Sequence, residues 1–145
     1  CLATAEAAAG MTPGTHGSTF GGNLLAVATA NAVLDVMLAP GFFERVQRIS
    51  VLLKQKLASI VDRYPDVVSD VRGDGLLIGL KAVVPAGDLV GALRQEKLLT
   101  VAAGDNVVRL LPPLIVNEAE IEDAVSRLDR ACAKLSREPM RREAV

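Results

Sequence analysis

Apolar positions recur along this chain in three rhythms, and each predicts a different kind of element. From residue 24 to 38 the run "LLAVATANAVLDVML" is apolar almost throughout, with Asn31 and Asp35 as its strongest polar interruptions. That pattern predicts a helix over about Asn23 to Leu38 that is apolar on nearly every face and buried on several sides. From Phe42 onward the spacing changes. Phe42, Val46, Ile49, Leu53, Leu57 and Ile60 recur at steps of three and four, while Glu44, Arg45, Gln47, Arg48 and Lys54 fall mostly off that stripe. This predicts an amphipathic surface helix that stops at "RYPD", because Pro65 disfavours helical geometry at Tyr64.

The segment "VVSDVRGDGLLIGLKAVV" reads as strand, turn and strand, with "RGDG" as the turn. A weaker helix with two glycines follows in "PAGDLVGALRQEKL". Then "LLTVAA", the turn "GDN" and "VVRLLPPLIV" make a strand pair, its second member ended at an edge or terminus by Pro112 and Pro113. The last helix has the clearest signature. Asn117 caps it with Glu120 three residues on, and Ile121, Ala124, Val125, Leu128, Cys132 and Leu135 form one face. Acidic residues cluster at its start and basic ones near its end, as the helix dipole favours. Upstream, "CLATAEAAAGM" reads as a short apolar strand end and an Ala-rich helical turn closed by Gly10. The expected fold class is α/β: a buried linking helix, then a small sheet with helices on it.

Composition narrows the function. Half of the 145 residues are apolar but only 3% are aromatic, so Leu, Val, Ala and Ile must fill the core. Sixteen basic residues against 17 acidic, with no basic stripe interleaved with aromatics, give nucleic-acid binding no support. The longest apolar run falls short of the roughly 20 residues of a membrane span. Cys1 and Cys132 have neither metal-ligand spacing nor a disulfide framework, so a reducing compartment and no metal are expected. The polar end "SREPMRREAV" is expected to be loosely ordered. No secretory signal is visible, and the chain begins at Cys1 in mid-pattern, the expectation for a piece of a longer protein.

The densest chemistry lies in "GTHGSTFGGN", residues 14–23, with four glycines, two threonines, a serine and the chain's only histidine. Glycines admit close approach of a ligand to the backbone, hydroxyls donate to phosphate oxygens, and a helix start adds unpaired N–H groups. These are the parts of a phosphate cradle, although neither a Walker A loop nor a dinucleotide fingerprint. The same composition suits an ordinary turn and helix cap, and His16 suits a neutral loop histidine as well as a functional one. Arg109, among apolar strand residues, calls for a carboxylate partner from protein or ligand, or else reaches solvent. Arg72 and Asp74 flank Gly73 and read as a solvated turn or a local ion pair.

Taken in order, "GTHGSTFGGN", the apolar helix, "VRGDGLLIGL" and "VVRLLPPLIV" resemble the class III pyridoxal-phosphate aminotransferases, most of all the N-acetylornithine aminotransferase branch. The resemblance covers nearly the whole chain. It implies the C-terminal part of an aspartate-aminotransferase fold (fold type I), with residues 1–39 as the tail of the large domain and 40–145 as the small domain. It further implies a cytoplasmic homodimer in arginine biosynthesis, with active sites at the subunit interface and pyridoxal 5'-phosphate as cofactor. The amino group would pass from N-acetylornithine, or a similar omega-amino acid, to 2-oxoglutarate. The resemblance gives Thr19 to the cofactor phosphate, Ser18 and Arg109 to the substrate, and His16, Gly17, Gly21, Gly22 and Asn23 to shaping the loop. Leu24 stands where the family usually has Pro, which loosens the helix start slightly.

The family's Schiff-base lysine lies upstream of this region, and Lys54, Lys56, Lys81, Lys97 and Lys134 do not match it. The catalytic lysine is therefore expected outside this chain, and this chain alone is not expected to transaminate. With its apolar helix uncovered it is expected to self-associate. Two other readings stand beside this one: a non-catalytic dimerising or binding module, and an unrelated protein that binds a phosphate ligand.

Overall fold

In the computed structural model, residues 2–137 are described. The chain divides into two compact units, Cys1–Phe42 and Phe43–Val145. The first unit opens with a single helical turn, α1 (Ala5–Ala8), where Thr4 Oγ1 accepts a hydrogen bond from Ala7 N at 3.2 Å. Residues 2–4 form no strand, against the expectation for this stretch, and Cys1 lies outside the described residues. After the Gly-rich loop comes α2 (Leu24–Met37), capped by Asn23.

Helix α2 has the predicted limits and, in this chain, the uncovered apolar surface expected of it. None of its residues is buried, and Leu24 and Leu25 are 89% and 79% exposed. An all-round apolar helix needs cover on several sides, and the described residues do not supply it. Among the described residues no single helix is long and apolar enough to cross a membrane.

The second unit holds the core. Helix α3 (Phe42–Arg63) buries Val46, Ile49, Leu53, Leu57 and Ile60, the stripe its periodicity predicts. Strands β1 (Val68–Asp74) and β2 (Leu77–Ala82) form an antiparallel hairpin. Helix α4 (Ala86–Gln95) buries Leu89 and Leu93. Strands β3 (Val101–Ala103) and β4 (Val107–Leu110) pair antiparallel, and α5 (Glu118–Arg137) completes the unit. The sheet order is β1-β2-β4-β3. Leu80, Val108 and Ile78 on one face are fully buried with the helices, and the alternate positions form an open face.

One turn differs from expectation. Between β1 and β2 the two-residue loop is Gly75–Leu76, so Arg72, Gly73 and Asp74 belong to the strand and not to the turn. Gly73 has φ +113°, and a Cβ there would come within 2.1 Å of the Leu77 carbonyl oxygen. Helix α3 holds this hairpin end through Ser50 Oγ to the Gly75 carbonyl at 2.7 Å and Lys54 Nζ to the Gly73 carbonyl at 3.0 Å. Strand β4 ends at Leu110, two residues before Pro112, and it lies inside the sheet. The prolines therefore mark a strand terminus and not a sheet edge.

Asn106, with φ +51° in the β3–β4 turn, joins three segments. Its Nδ2 donates to the Ala82 and Val84 carbonyls at 2.8 and 2.9 Å, and its Oδ1 accepts from Ala86 N at 2.8 Å. The capping box of α5 forms as its sequence predicts: Asn117 Oδ1 accepts from Glu120 N at 3.0 Å, and Glu120 Oε2 from Asn117 N at 2.9 Å. Most of "SREPMRREAV" lies outside the described residues.

Candidate functional site

The Gly-rich loop is built from two turns. In the first, Thr15 N donates to the Thr12 carbonyl at 3.1 Å, with Pro13 and Gly14 at its centre and Gly14 at φ +87°. A left-handed residue at that place is what a type II turn requires. In the second, Asn23 N–H faces the Phe20 carbonyl at 3.4 Å and Gly22 has φ +73°. Asn23 then works in both directions: its Nδ2 donates to the Phe20 carbonyl at 2.7 Å, and its Oδ1 accepts from Ala26 N at 2.9 Å. One side chain thereby fixes the loop end to the first turn of α2.

Ser18 and Thr19 are exposed, and among the described residues neither hydroxyl is taken up by a protein partner. Gly21 packs close to Ser18: a Cβ at Gly21 would lie 3.0 Å from both Ser18 Cβ and Oγ. His16 and Gly17 are exposed, with open space around the Gly17 α-carbon. The loop thus offers two free hydroxyls, glycines that leave the backbone accessible, and a following helix N-terminus. This donor set fits a phosphate monoester.

Arg109 lies in the second unit, on β4. It pairs with Gly79 of β2, which pairs in turn with Arg72 of β1, so a glycine separates two arginines along one cross-strand row. The row lies on the open face. An open cavity of about 510 Å³ sits over it, lined by Arg72, Gly79, Ala103, Asp105, Val107 and Arg109 among others. A Cβ on Gly79 would meet Val107 Cγ1 at 2.7 Å, so the bare glycine keeps the floor low. Arg109 is exposed and, among the described residues, has no hydrogen-bond or ion-pair partner. Its guanidinium is available to a carboxylate.

The other cations of this face are engaged. Arg72 Nε donates to Asp70 Oδ2 at 2.9 Å and its Nη1 to Asp105 Oδ2 at 3.0 Å, while Lys81 Nζ meets Asp105 Oδ1 at 2.8 Å. Hydrogen bonds from Lys81, then Arg72, hold the Asp105 carboxyl below its ordinary range. Of the two readings of Arg72 and Asp74, a solvated turn or a local ion pair, no Arg72–Asp74 pair forms. Asp74, at the end of the strand, has Lys54 3.9 Å away instead. Sequence reasoning missed Gly79, Lys81 and Asp105. The alternation of "LIGLKA" against buried Ile78 and Leu80 carried the signal for the first two. Among the described residues no cluster of His, Cys, Asp and Glu could hold a metal. Cys132 is a free buried thiol, pushed up to about 12 by burial.

Residues 1–132 match the family described as Aminotransferase class-III. The chain belongs to that family, whose members depend on pyridoxal phosphate and have the fold type I architecture. It is 75% identical over 143 residues to acetylornithine aminotransferase 1 of Bradyrhizobium diazoefficiens, covering 99% of this chain and 35% of that one. The acetylornithine aminotransferase of Agrobacterium fabrum is 56% identical over 136 residues, covering 94% of this chain and 34% of that one. Among solved structures, the acetylornithine aminotransferase of Elizabethkingia anophelis superposes with a TM-score of 0.74 at 33% identity, over 86% of this chain and 33% of that one. The ornithine delta-aminotransferase of Plasmodium falciparum gives 0.77 at 27% identity, over 89% of this chain and 34% of that one. The chain thus spans about a third of the length of the relatives it matches.

Proposed function

We propose that this chain supplies the cofactor-phosphate loop and the small domain of a pyridoxal-phosphate aminotransferase. That enzyme moves the terminal amino group of N-acetylornithine, or a similar omega-amino acid, to 2-oxoglutarate in arginine biosynthesis. The observation that carries the reading is the 75% identity, across 143 residues, to a protein named acetylornithine aminotransferase 1. In this reading residues 1–39 are the tail of the large domain and 40–145 the small domain. The working unit is a cytoplasmic homodimer in which the Gly-rich loop of one subunit serves the active site of the other.

The family resemblance assigns each residue its part, and its chemistry suits that part. Thr19 donates its hydroxyl to the cofactor phosphate, and Ser18, kept in place by the tight Gly21, contacts the substrate. Asn23 ties the loop to α2, whose first N–H groups add a positive end for the phosphate. Arg109 takes the substrate carboxylate in a charge-assisted, bidentate geometry. His16, Gly17 and Gly22 shape the path of the loop. When bound, the cofactor supplies an electron sink for the carbon that loses its proton. The lysine that engages it is not assigned to this chain, and the chain by itself is proposed to be inactive.

The test uses the full-length enzyme that carries this sequence. Thr19→Ala should weaken pyridoxal-phosphate affinity. Arg109→Ala should raise the KM for the amino donor about 10- to 100-fold, the range for a lost hydrogen bond to a charged group. If both variants bind cofactor and amino donor like the parent, the assignment is wrong.

A further inference from the structure

Glycine is depleted in β-strands, yet β2 carries one in its interior. Gly79 costs the strand backbone entropy and the packing that a side chain would supply. Its own backbone gives no reason for it, since positive φ occurs at Gly73 and Gly75 but not at Gly79.

The surroundings do give a reason. On the open face Arg72 and Arg109 stand directly across from Gly79 on the two neighbouring strands. Leu77 and Lys81 stand two residues away on either side along β2 itself. Four long side chains therefore frame one bare α-carbon, and the open cavity of about 510 Å³ reaches down to it between Arg72, Leu77 and Arg109. Directly opposed residues of antiparallel strands lie about 5 Å apart, so the notch begins beside the backbone that carries Arg109. A carboxylate bound bidentately takes up one edge of the guanidinium and leaves its next carbon to be placed by the floor. A side chain at position 79 would raise that floor. An unsubstituted chain can turn away from it, whereas a carbon that bears a second group has fewer ways to do so.

We propose that Gly79 is a specificity-determining residue of the carboxylate site: its bare α-carbon makes room, next to Arg109, for a substituent on the carbon adjacent to the ligand carboxylate. This rests on the reading of Arg109 given above and adds a shape requirement to it. Both ligands of the proposed reaction meet that requirement, N-acetylornithine with its acetamido group and 2-oxoglutarate with its keto oxygen. A plain alkanoate gains nothing from the notch.

The test is equilibrium binding by calorimetry to the full-length, cofactor-loaded enzyme with two monocarboxylate probes. Pentanoate and N-acetylnorvaline differ only in the acetamido group beside the carboxylate. Gly79→Ala should weaken N-acetylnorvaline relative to pentanoate about tenfold, the scale of one methyl group in a fitted pocket. A Cβ at Gly79 also meets Val107 Cγ1 at 2.7 Å, so the decisive variant combines Gly79→Ala with Val107→Ala. That pair removes the clash and keeps the new methyl in the cavity. The same loss of ratio in the double variant supports the inference, because a disturbed sheet would weaken both probes alike. If the double variant binds the two probes in the parent's ratio, the glycine serves only its packing against Val107 and the inference is overturned. It is overturned equally if Val107→Ala alone lowers the ratio as far. If Arg109→Ala weakens neither probe, the carboxylate site itself is misassigned and the inference falls with it.

Discussion

Helices α2 and α3 follow one another in the chain, and the more apolar of the two is the one that buries nothing. Helix α3 mixes charged and apolar residues, yet its stripe is sealed against the core, with Ile60 and Leu57 essentially inaccessible. Helix α2 carries apolar residues all round and leaves Val27, Val33, Leu34 and Val36 open. Hydrophobicity sets how much burial a segment demands; patterning sets whether one neighbouring surface can meet the demand. A stripe is satisfied by one layer, whereas a helix apolar on every side must be enclosed.

The contrast can be broken most forcefully by truncating one residue from each helix. Leu57→Ala should cost about 2–5 kcal/mol of stability, as for a buried leucine whose cavity relaxes only partly. Val33→Ala, at a site 51% exposed, should stay within about 0.5 kcal/mol. Urea unfolding followed by circular dichroism measures both. Equal effects would mean that α2 is enclosed in solution.

Glycines sharpen the comparison at a smaller scale. Gly73→Ala combines a positive φ with a clash against the Leu77 carbonyl, and should cost about 1–3 kcal/mol in a thermal melt. Gly22 in the first unit also has a positive φ, but nothing lies within 4 Å of its missing Cβ. Gly22→Ala should therefore cost less than Gly73→Ala, because only the backbone strain remains.

The smallest effect is one of pH and belongs to the second unit. Glu96, at the end of α4, is paired with Lys134 and with Arg130 of α5, the latter at 2.7 Å. Hydrogen bonds from Lys134, then Arg130, lower its carboxyl to about 2. The folded state therefore binds this proton less readily than the unfolded chain does. The contribution is complete above the ordinary carboxylate range near 4.5 and is lost as pH falls towards about 2. Denaturation midpoints of the parent and Glu96→Gln should converge across that window, and parallel curves would show that the pair contributes nothing.

What the sequence made legible follows the same division. Periodicity placed α3 and α5, and the Asn117–Glu120 pair announced its own cap, because these features are settled within a few residues. The location of α2 was legible for the same reason. What covers it was not, since burial belongs to the neighbours a segment meets. The "RGDG" turn shifted because Gly73 can stay in the strand at φ +113° while Gly75 makes the bend. The site divides likewise: hydroxyls and glycines crowd into one visible stretch, whereas Asp105 lies 33 residues from Arg72 and meets it only through the sheet order. No local spacing encodes that encounter.

One amide, that of Asn106, also carries a chemical dependence. Its amide nitrogen donates to two carbonyls, so hydrolysis to aspartate would replace a double donor with an oxygen facing two oxygens. The damage would fall on the junction of β2, α4 and the turn that carries Asp105. Such a change would be read as a mass gain of about one dalton together with a loosened seam in the small sheet.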